Sequence, residues 1–243
     1  MTRESNASGS AREPLLSVVI PALNEAEALP AVIMAAGRSD IPFEVIVVDA
    51  SSSDHTAGAA EAAGGRVISS ARRQRAHQLN LGARHARGAI LLFLHADTLL
   101  PPGALEKIVD ALKSRSVVGG AFGRHYASDS PWLRLTCRLA GWRNRTIGWH
   151  LGDQSMFVRR GLFFQLGGFR DVERFEDLDF SRRLKGCGRI VTLLPPVISS
   201  ARRFERNGAA WTTFRDLALT LRYLVRGLPN EVVHGEARSL PVS

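Results

Sequence analysis

The chain has 243 residues, 45% hydrophobic and 23% charged, an ordinary globular composition that excludes disorder over most of its length. Its longest uninterrupted apolar runs, residues 89–94 and the equally long 31–36, are far short of the roughly 20 residues of a membrane span. The net charge of +9 comes from 32 basic residues, all arginine except Lys107, Lys113 and Lys185; the sign points to a polyanion (nucleic acid, membrane surface or phosphorylated substrate), the arginine preference to genome composition alone.

Residues 1–14 read as a flexible tail, polar and Ser-rich, with no apolar stretch to mark an export signal. Ser17-Val18-Val19-Ile20-Pro21 is a β-branched run of strand length, and 26–38 reads as a helix ending near Gly37. A second strand covers 43–49, and a helix over 54–63 stops at Gly64-Gly65. A third strand is expected at 66–69, a helix at 73–87 and a fourth strand at 89–95, continuously apolar and so buried on both faces. This alternation predicts an α/β domain with a largely parallel sheet, which binds ligands at the carboxyl ends of its strands. Beyond it the pattern predicts a helix at 101–114, a strand at 117–126 carrying Gly119, Gly120 and Gly123, and a helix at 131–145. Then come a strand at 156–158, helices at 162–166 and 176–187, a strand at 190–194 and a last helix at 209–226. Cys137 and Cys187 form no motif and read as free thiols of a reducing compartment.

Three groups of side chains carry candidate chemistry. Asp49 ends the second strand and opens a Ser-rich turn; it suits hydrogen bonds from a base or ribose, or else a plain turn with a helix cap. His95 and Asp97 stand two apart at the end of the fourth strand, a spacing that puts both side chains on one side. Such a pair can ligate a divalent cation with phosphate oxygens completing the shell; the alternative is Asp97 as a cap before Pro101-Pro102. In the helix at 176–187, Asp177 shares its stripe with Phe180, Ser181 and Leu184, whereas Glu176 and Asp179 lie with Arg183 on a stripe that reads as solvated. Asp177 is therefore the acid turned inward and the candidate general base, unless it merely complements the helix dipole. Arg72-Arg73-Gln74-Arg75 and Arg202-Arg203 are phosphate-matching clusters, though each arginine alone is as well explained by solvation. No phosphate-binding G-x-x-x-x-G-K-[ST] loop, G-x-G-x-x-G or G-x-S-x-G is present, which argues against a P-loop nucleotidase, a Rossmann dehydrogenase and an α/β-hydrolase.

In order along the chain stand Val18-Val19-Ile20-Pro21-Ala22-Leu23-Asn24-Glu25, Val47-Val48-Asp49, Asn80-Leu81-Gly82-Ala83, Phe93-Leu94-His95-Ala96-Asp97-Thr98, Gly152-Asp153-Gln154, Gly167-Gly168-Phe169, Glu176-Asp177 and Arg202-Arg203-Phe204. This ordered set resembles a family-2 glycosyltransferase of the GT-A (nucleotide-diphospho-sugar transferase) fold, α/β with a mostly parallel central sheet flanked by helices. The short length, the His-Ala-Asp form and Gly152-Asp153-Gln154 resemble a small bacterial arsenosugar-biosynthesis-type subgroup. The resemblance implies transfer of a sugar from a UDP- or GDP-type donor to an acceptor hydroxyl, with inversion. It implies a donor side made by Pro21, Ala22, Asn24, Glu25, Asp49, Arg75 and Ala96. Asp97, with His95, would hold Mn²⁺ or Mg²⁺; Asp177 would be the base; Gly152, Asp153, Gln154 and Glu176 would line the acceptor side; and Arg202 and Arg203 would face the diphosphate. Two departures stand out: His95 replaces the first acid of the usual D-x-D, and Ser200 and Phe204 replace the Gln and Trp of the usual Q-x-x-R-W.

The implied organisation is a tail at 1–14, the catalytic domain at 15–208, an amphipathic helix at 209–230 and a tail at 231–243. On the last helix Trp211, Phe214, Leu217, Ala218 and Leu221 form an apolar stripe. Packing against the domain is the simpler expectation; docking on a membrane that bears a lipid-linked acceptor is the alternative. The expected location is the cytoplasm, with the inner membrane face as the place of such docking. Acceptors are a small molecule or a lipid-linked one, and nucleic acid is not expected. The rival functions are a sugar-nucleotide nucleotidyltransferase, which the missing Gly-rich basic N-terminal loop disfavours, and a nucleotide- or polyanion-binding protein without activity. Acid-free, arginine-rich windows at 62–96, 130–152 and 180–204 abut the motifs, which favours a diphosphate site over a uniformly sticky surface.

Overall fold

The computed structural model describes residues 13–227, apart from the side chains of Arg145, Ile147 and Arg226. The expected tails lie outside it but for Glu13 and Pro14, as do residues 228–230. The strands are β1 (Leu16–Ala22), β2 (Phe43–Asp49), β3 (Arg66–Ser69), β4 (Ile90–Phe93), β5 (Thr98–Leu99), β6 (Val117–Tyr126), β7 (Met156–Arg159) and β8 (Arg189–Ser199). The helices are α1 (Leu29–Ala36), α2 (Thr56–Ala62), α3 (Arg75–His85), α4 (Ala104–Lys113), α5 (Pro131–Ile147), α6 (Arg160–Gln165), α7 (Glu176–Lys185), α8 (Arg202–Asn207) and α9 (Ala209–Arg226).

These strands form one sheet in the order β3-β2-β1-β4-β7-β6-β8-β5. The half built from β1 to β4 is parallel, as its strand–helix alternation predicts. The C-terminal half joins it through β7, which runs antiparallel to both β4 and β6, so the whole sheet is mixed. β1, β2 and β4 are largely apolar on both faces because helices cover both, whereas the edge strand β3 is half exposed. Val18, Ile20, Val45, Val47 and Leu92 face one core with α1 and α4. The alternate residues Val19, Ile46, Val48, Leu91 and Phe93 face the other with α3, α6 and α7.

Local chemistry sets the helix ends. The Gln74 side chain accepts from the His77 N–H to cap α3. Ser130 caps α5, Pro131 opens it, and Gly148 ends it in the left-handed region at φ 70°. On α3, a Cβ at Gly82 would collide with Val19, so the glycine lets the helix lie directly on β1. β8 is longer than expected, running through Pro195-Pro196 because β6 pairs with it as far as Tyr126 and β5 pairs with its end. The segments α8 and β5 were not legible as elements: two residues of strand and six of helix are too short for a periodicity.

The stripe on α9 departs from the simpler expectation. The helix rests on the domain through Thr212 and Tyr223, which are buried, while Trp211, Phe214, Leu217 and Leu221 are exposed. Tyr223 wins the inward position because its ring stacks on Phe175 at 5.1 Å between centroids.

Candidate active site

The carboxyl ends of β1 and β4 and the start of α3 open on a cleft of about 250 Å³, lined by Pro21, Ala22, Leu23, Glu25, Arg75, Gln78, His95, Ala96 and Asp97. A larger apolar groove of about 560 Å³ lies elsewhere, lined by Met34, Leu99, Pro196 and Ile198 among others. It contains no carboxylate, so the smaller cleft is the chemical one.

The loop after β1 is laced to the loop after β2. Asn24, at φ 55°, accepts from the Ser53 N–H at 2.8 Å, and its own N–H donates to Ser52 Oγ at 2.9 Å. The Glu25 N–H donates to Thr56 Oγ1 at 2.9 Å. Asp49 turns back into its own loop, accepting from the Ser52 N–H at 3.1 Å and from the Ser52 hydroxyl. Asn24 and Asp49 thus lace the two loops together, and Glu25 is the acid of this loop that faces the cleft.

Gln78 was not foreseen. Its buried side-chain amide donates to Ala22 O at 3.0 Å and Val48 O at 2.8 Å, tying the ends of β1 and β2 below the cleft. The available signal was a polar residue four before Gly82, on the helix face that lies on the sheet.

His95 and Asp97 do not continue the strand. β4 ends at Phe93, and the Thr98 N–H closes a turn onto His95 O at 3.2 Å, so the period of two fails there. The two side chains have different neighbours. Asp97 looks towards Arg202 at 3.7 Å, and the same guanidinium donates to Glu25 Oε2 at 2.7 Å. Burial, reinforced by Glu25, raises the Asp97 carboxyl above its ordinary range. His95 instead abuts Gly152, where an added Cβ would sit 3.1 Å from its Nε2. Burial, with Arg75 nearby, lowers its imidazole to about 4, so the ring is neutral at physiological pH.

Asp177 sits at the first turn of α7. Its Oδ2 accepts from the Gly152 N–H at 2.5 Å and its Oδ1 from the Leu178 N–H at 2.6 Å. Arg75 stands 3.8 Å from Oδ2 and donates to Glu176. The stripe read as solvated is not. Glu176 is 1% exposed and Asp179 7%, because Arg75 pairs the first while Arg183 and Arg170 pair the second. Helix spacing alone could not see partners brought from α3 and from the loop before α7. Burial, with Asp177 adjoining, raises the Glu176 carboxyl despite Arg75.

Asp153 is not among the residues that line the cleft. It pairs with the buried Arg124 and accepts from Tyr126 Oη at 3.3 Å. Burial opposes its charge, but Arg124 overrides this and holds the carboxyl below its ordinary range. Arg124 was also missed, though it stands between Phe122 and Tyr126 at alternate positions of β6, a readable sign that it points inward. Gln154 is buried, and its side chain accepts from the Leu151 N–H at 2.9 Å. Asn80 likewise braces the glycine turn before α7, donating to Phe169 O at 2.7 Å and accepting from its N–H at 3.0 Å.

The arginine windows do not converge. Arg75 and Arg202 reach the cleft, but Arg66 and Arg87 pair with Glu44, Arg72 with Asp171, and Arg203 with Asp216 on α9. Phe204 packs its ring on Tyr126 at 4.8 Å. Among the described residues no group of three or more His, Cys, Asp or Glu side chains is placed to hold a metal ion.

A sheet of this order, with an acid-bearing cleft at the ends of its parallel strands and an acid-led helix beside it, defines a GT-A-type nucleotide-sugar transferase fold. The chain belongs to glycosyl transferase family 2, whose model matches residues 17–166. An uncharacterized Mycobacterium tuberculosis protein is 30% identical, over 88% of this chain and 74% of that one. The undecaprenyl-phosphate 4-deoxy-4-formamido-L-arabinose transferase of Sodalis glossinidius is 30% identical over 59% of this chain, which spans about half of it (48%). Among solved structures, the Pyrobaculum calidifontis mannosyltransferase in complex with GDP-mannose and Mn²⁺ superimposes with a TM-score of 0.63 at 26% identity, covering 82% of this chain and 60% of that one. Staphylococcus aureus TarS shares the fold at 17% identity and a TM-score of 0.64, over 76% of this chain and 60% of that one.

Proposed function

We propose that the chain transfers a glycosyl group from a nucleoside-diphosphate sugar to an acceptor hydroxyl, with inversion at the anomeric carbon. The observation that carries this reading is the meeting of Asp177, Arg75, Gly152 and His95 beside the cleft that Asp97 and Glu25 line. Asp177 is the base. Its carboxylate is held by two N–H donors and Arg75, an arrangement that fixes its direction for taking the acceptor proton. Arg75 also supplies fixed positive charge next to the site. Neutral His95 packs between Gly152 and the cleft and orients the acceptor side.

Metal dependence is part of the proposal. Asp97 and Glu25 offer oxygen ligands of the type Mn²⁺ or Mg²⁺ prefers, and the guanidinium of Arg202 already bridges them as a resident cation. Asp97 would hold the ion, with Glu25 across the cleft. His95, which lines the same cleft, would be a further ligand. The bound cation would neutralise charge on the leaving diphosphate. The mannosyltransferase bound to GDP-mannose and Mn²⁺ supports this reading, and the undecaprenyl-phosphate sugar transferase supports a lipid-linked acceptor as one option. Membership of the arsenosugar-type subgroup stays a proposal resting on sequence likeness.

The test is release of UDP or GDP from a donor panel, with Mn²⁺, with Mg²⁺ and with EDTA. We expect release from one donor class that EDTA abolishes and Mn²⁺ restores. Asp177→Asn should lower transfer by roughly 10³-fold or more with donor affinity nearly unchanged. Wild-type turnover in that variant would remove Asp177 as the base.

A further inference from the structure

The chain has four tryptophans, Trp132, Trp142, Trp149 and Trp211, and all fall on α5, the loop after it, or α9. Trp142 and Trp211 are each 66% exposed. On α5 the exposed row is Trp132, Leu135, Leu139 and Trp142; on α9 it is Trp211, Phe214, Leu217 and Leu221. The two rows meet. Trp132 Nε1 donates to Thr213 Oγ1 at 3.1 Å, and its ring lies 6.1 Å from that of Phe214. The result is one apolar face across two helices, and among the described residues no helix is long and apolar enough to cross a membrane.

The charge on the two helices is mostly positive. α5 carries Arg134, Arg138, Arg143 and Arg145 and no acid; α9 carries Arg215, Arg222 and Arg226 with one acid, Asp216, which pairs with Arg203 and lies 3.9 Å from Arg215. Arg134, Arg138, Arg215 and Arg222 are exposed. A second copy of the chain docked here would set these arginines against their own kind, which disfavours self-association. An anionic surface has the complementary charge, and tryptophan and arginine flanking an apolar row are the composition that seats in a lipid headgroup layer.

We propose that the α5–α9 face docks on the surface of a bilayer containing anionic phospholipid, with Trp142, Trp211 and Phe214 entering the headgroup layer. This is independent of the glycosyl-transfer reading, since it rests on surface residues alone. The experiment is flotation of the full chain with phosphatidylcholine vesicles, with and without phosphatidylglycerol, alongside sedimentation of the protein by itself. Wild-type protein should float with the mixed vesicles, and its tryptophan emission should shift to the blue. Trp142→Ser/Phe214→Ser should lose roughly tenfold or more in partitioning while keeping the wild-type circular dichroism and melting curve. Arg138→Glu/Arg222→Glu should lose the preference for phosphatidylglycerol. No flotation of the wild type, or unchanged flotation of the serine variant, overturns the proposal. So does a dimer in solution that the serine variant abolishes, which would assign the face to a second copy.

Discussion

Gly152 is the residue on which the candidate base depends most directly. Its N–H donates to Asp177 Oδ2 at 2.5 Å, and an added Cβ would lie 2.9 Å from that oxygen and 3.1 Å from His95 Nε2. Gly152→Ala must therefore push the carboxylate, the imidazole or both by a few tenths of an ångström. Misplacing a reacting group on that scale costs rate rather than donor affinity. We expect kcat to fall roughly 10- to 100-fold, with the donor dissociation constant by calorimetry within about twofold of wild type. An equal loss in donor affinity would mean that Gly152 shapes the donor side instead. The identity of this glycine was visible in the chain, but its partner, 25 residues away, was not.

Among the elements, α9 is tied to the site by one side chain. Phe175 precedes α7 at φ 68°, a left-handed conformation that costs a non-glycine residue on the order of 1 kcal/mol. Its ring stacks on Tyr223 of α9, and Arg182 donates to Tyr223 Oη at 3.3 Å. The stack holds the turn that delivers Glu176 and Asp177, making Tyr223 a positioning residue. Tyr223→Ala should lower kcat by roughly tenfold with little change in KM for the donor, and Tyr223→Phe, which keeps the ring, should restore most of it. Failure of phenylalanine to rescue would assign the effect to the hydroxyl and Arg182. The periodicity of α9 correctly gave a stripe, but not which way it faced, because an aromatic pair across 48 positions outweighs an apolar row with no cover.

For the molecule as a whole, acid stability carries the mark of buried imidazoles. His150 is 1% exposed, donates its backbone N–H to Ser181 Oγ, and shares a hydrogen bond between Nε2 and Thr192 Oγ1 at 2.9 Å. Burial, with Arg143 near, lowers its ring to about 4. The unfolded chain binds this proton near pH 6.5, the folded chain only near 4, so stability falls as pH drops through that window. The loss is on the order of 3 kcal/mol at most for this one group. Melting temperature should decline from pH 6.5 to 4 in the wild type and decline less in His150→Gln; parallel curves would show that His150 does not set the slope. Sequence by itself determined the parallel β1–β4 half, the two-faced burial of the fourth strand and the cleft at the strands' carboxyl ends, because apolar runs and the alternation of strand and helix periods are local properties of the chain. Tertiary structure alone decided that Glu176 and Asp179 are buried and paired, that His95 neighbours Gly152 while Asp97 neighbours Arg202, that several arginines pair with acids away from the cleft, and that the apolar row of α9 joins that of α5 at the surface. Each of these depends on a partner contributed by a distant segment, and no local period encodes which partner arrives.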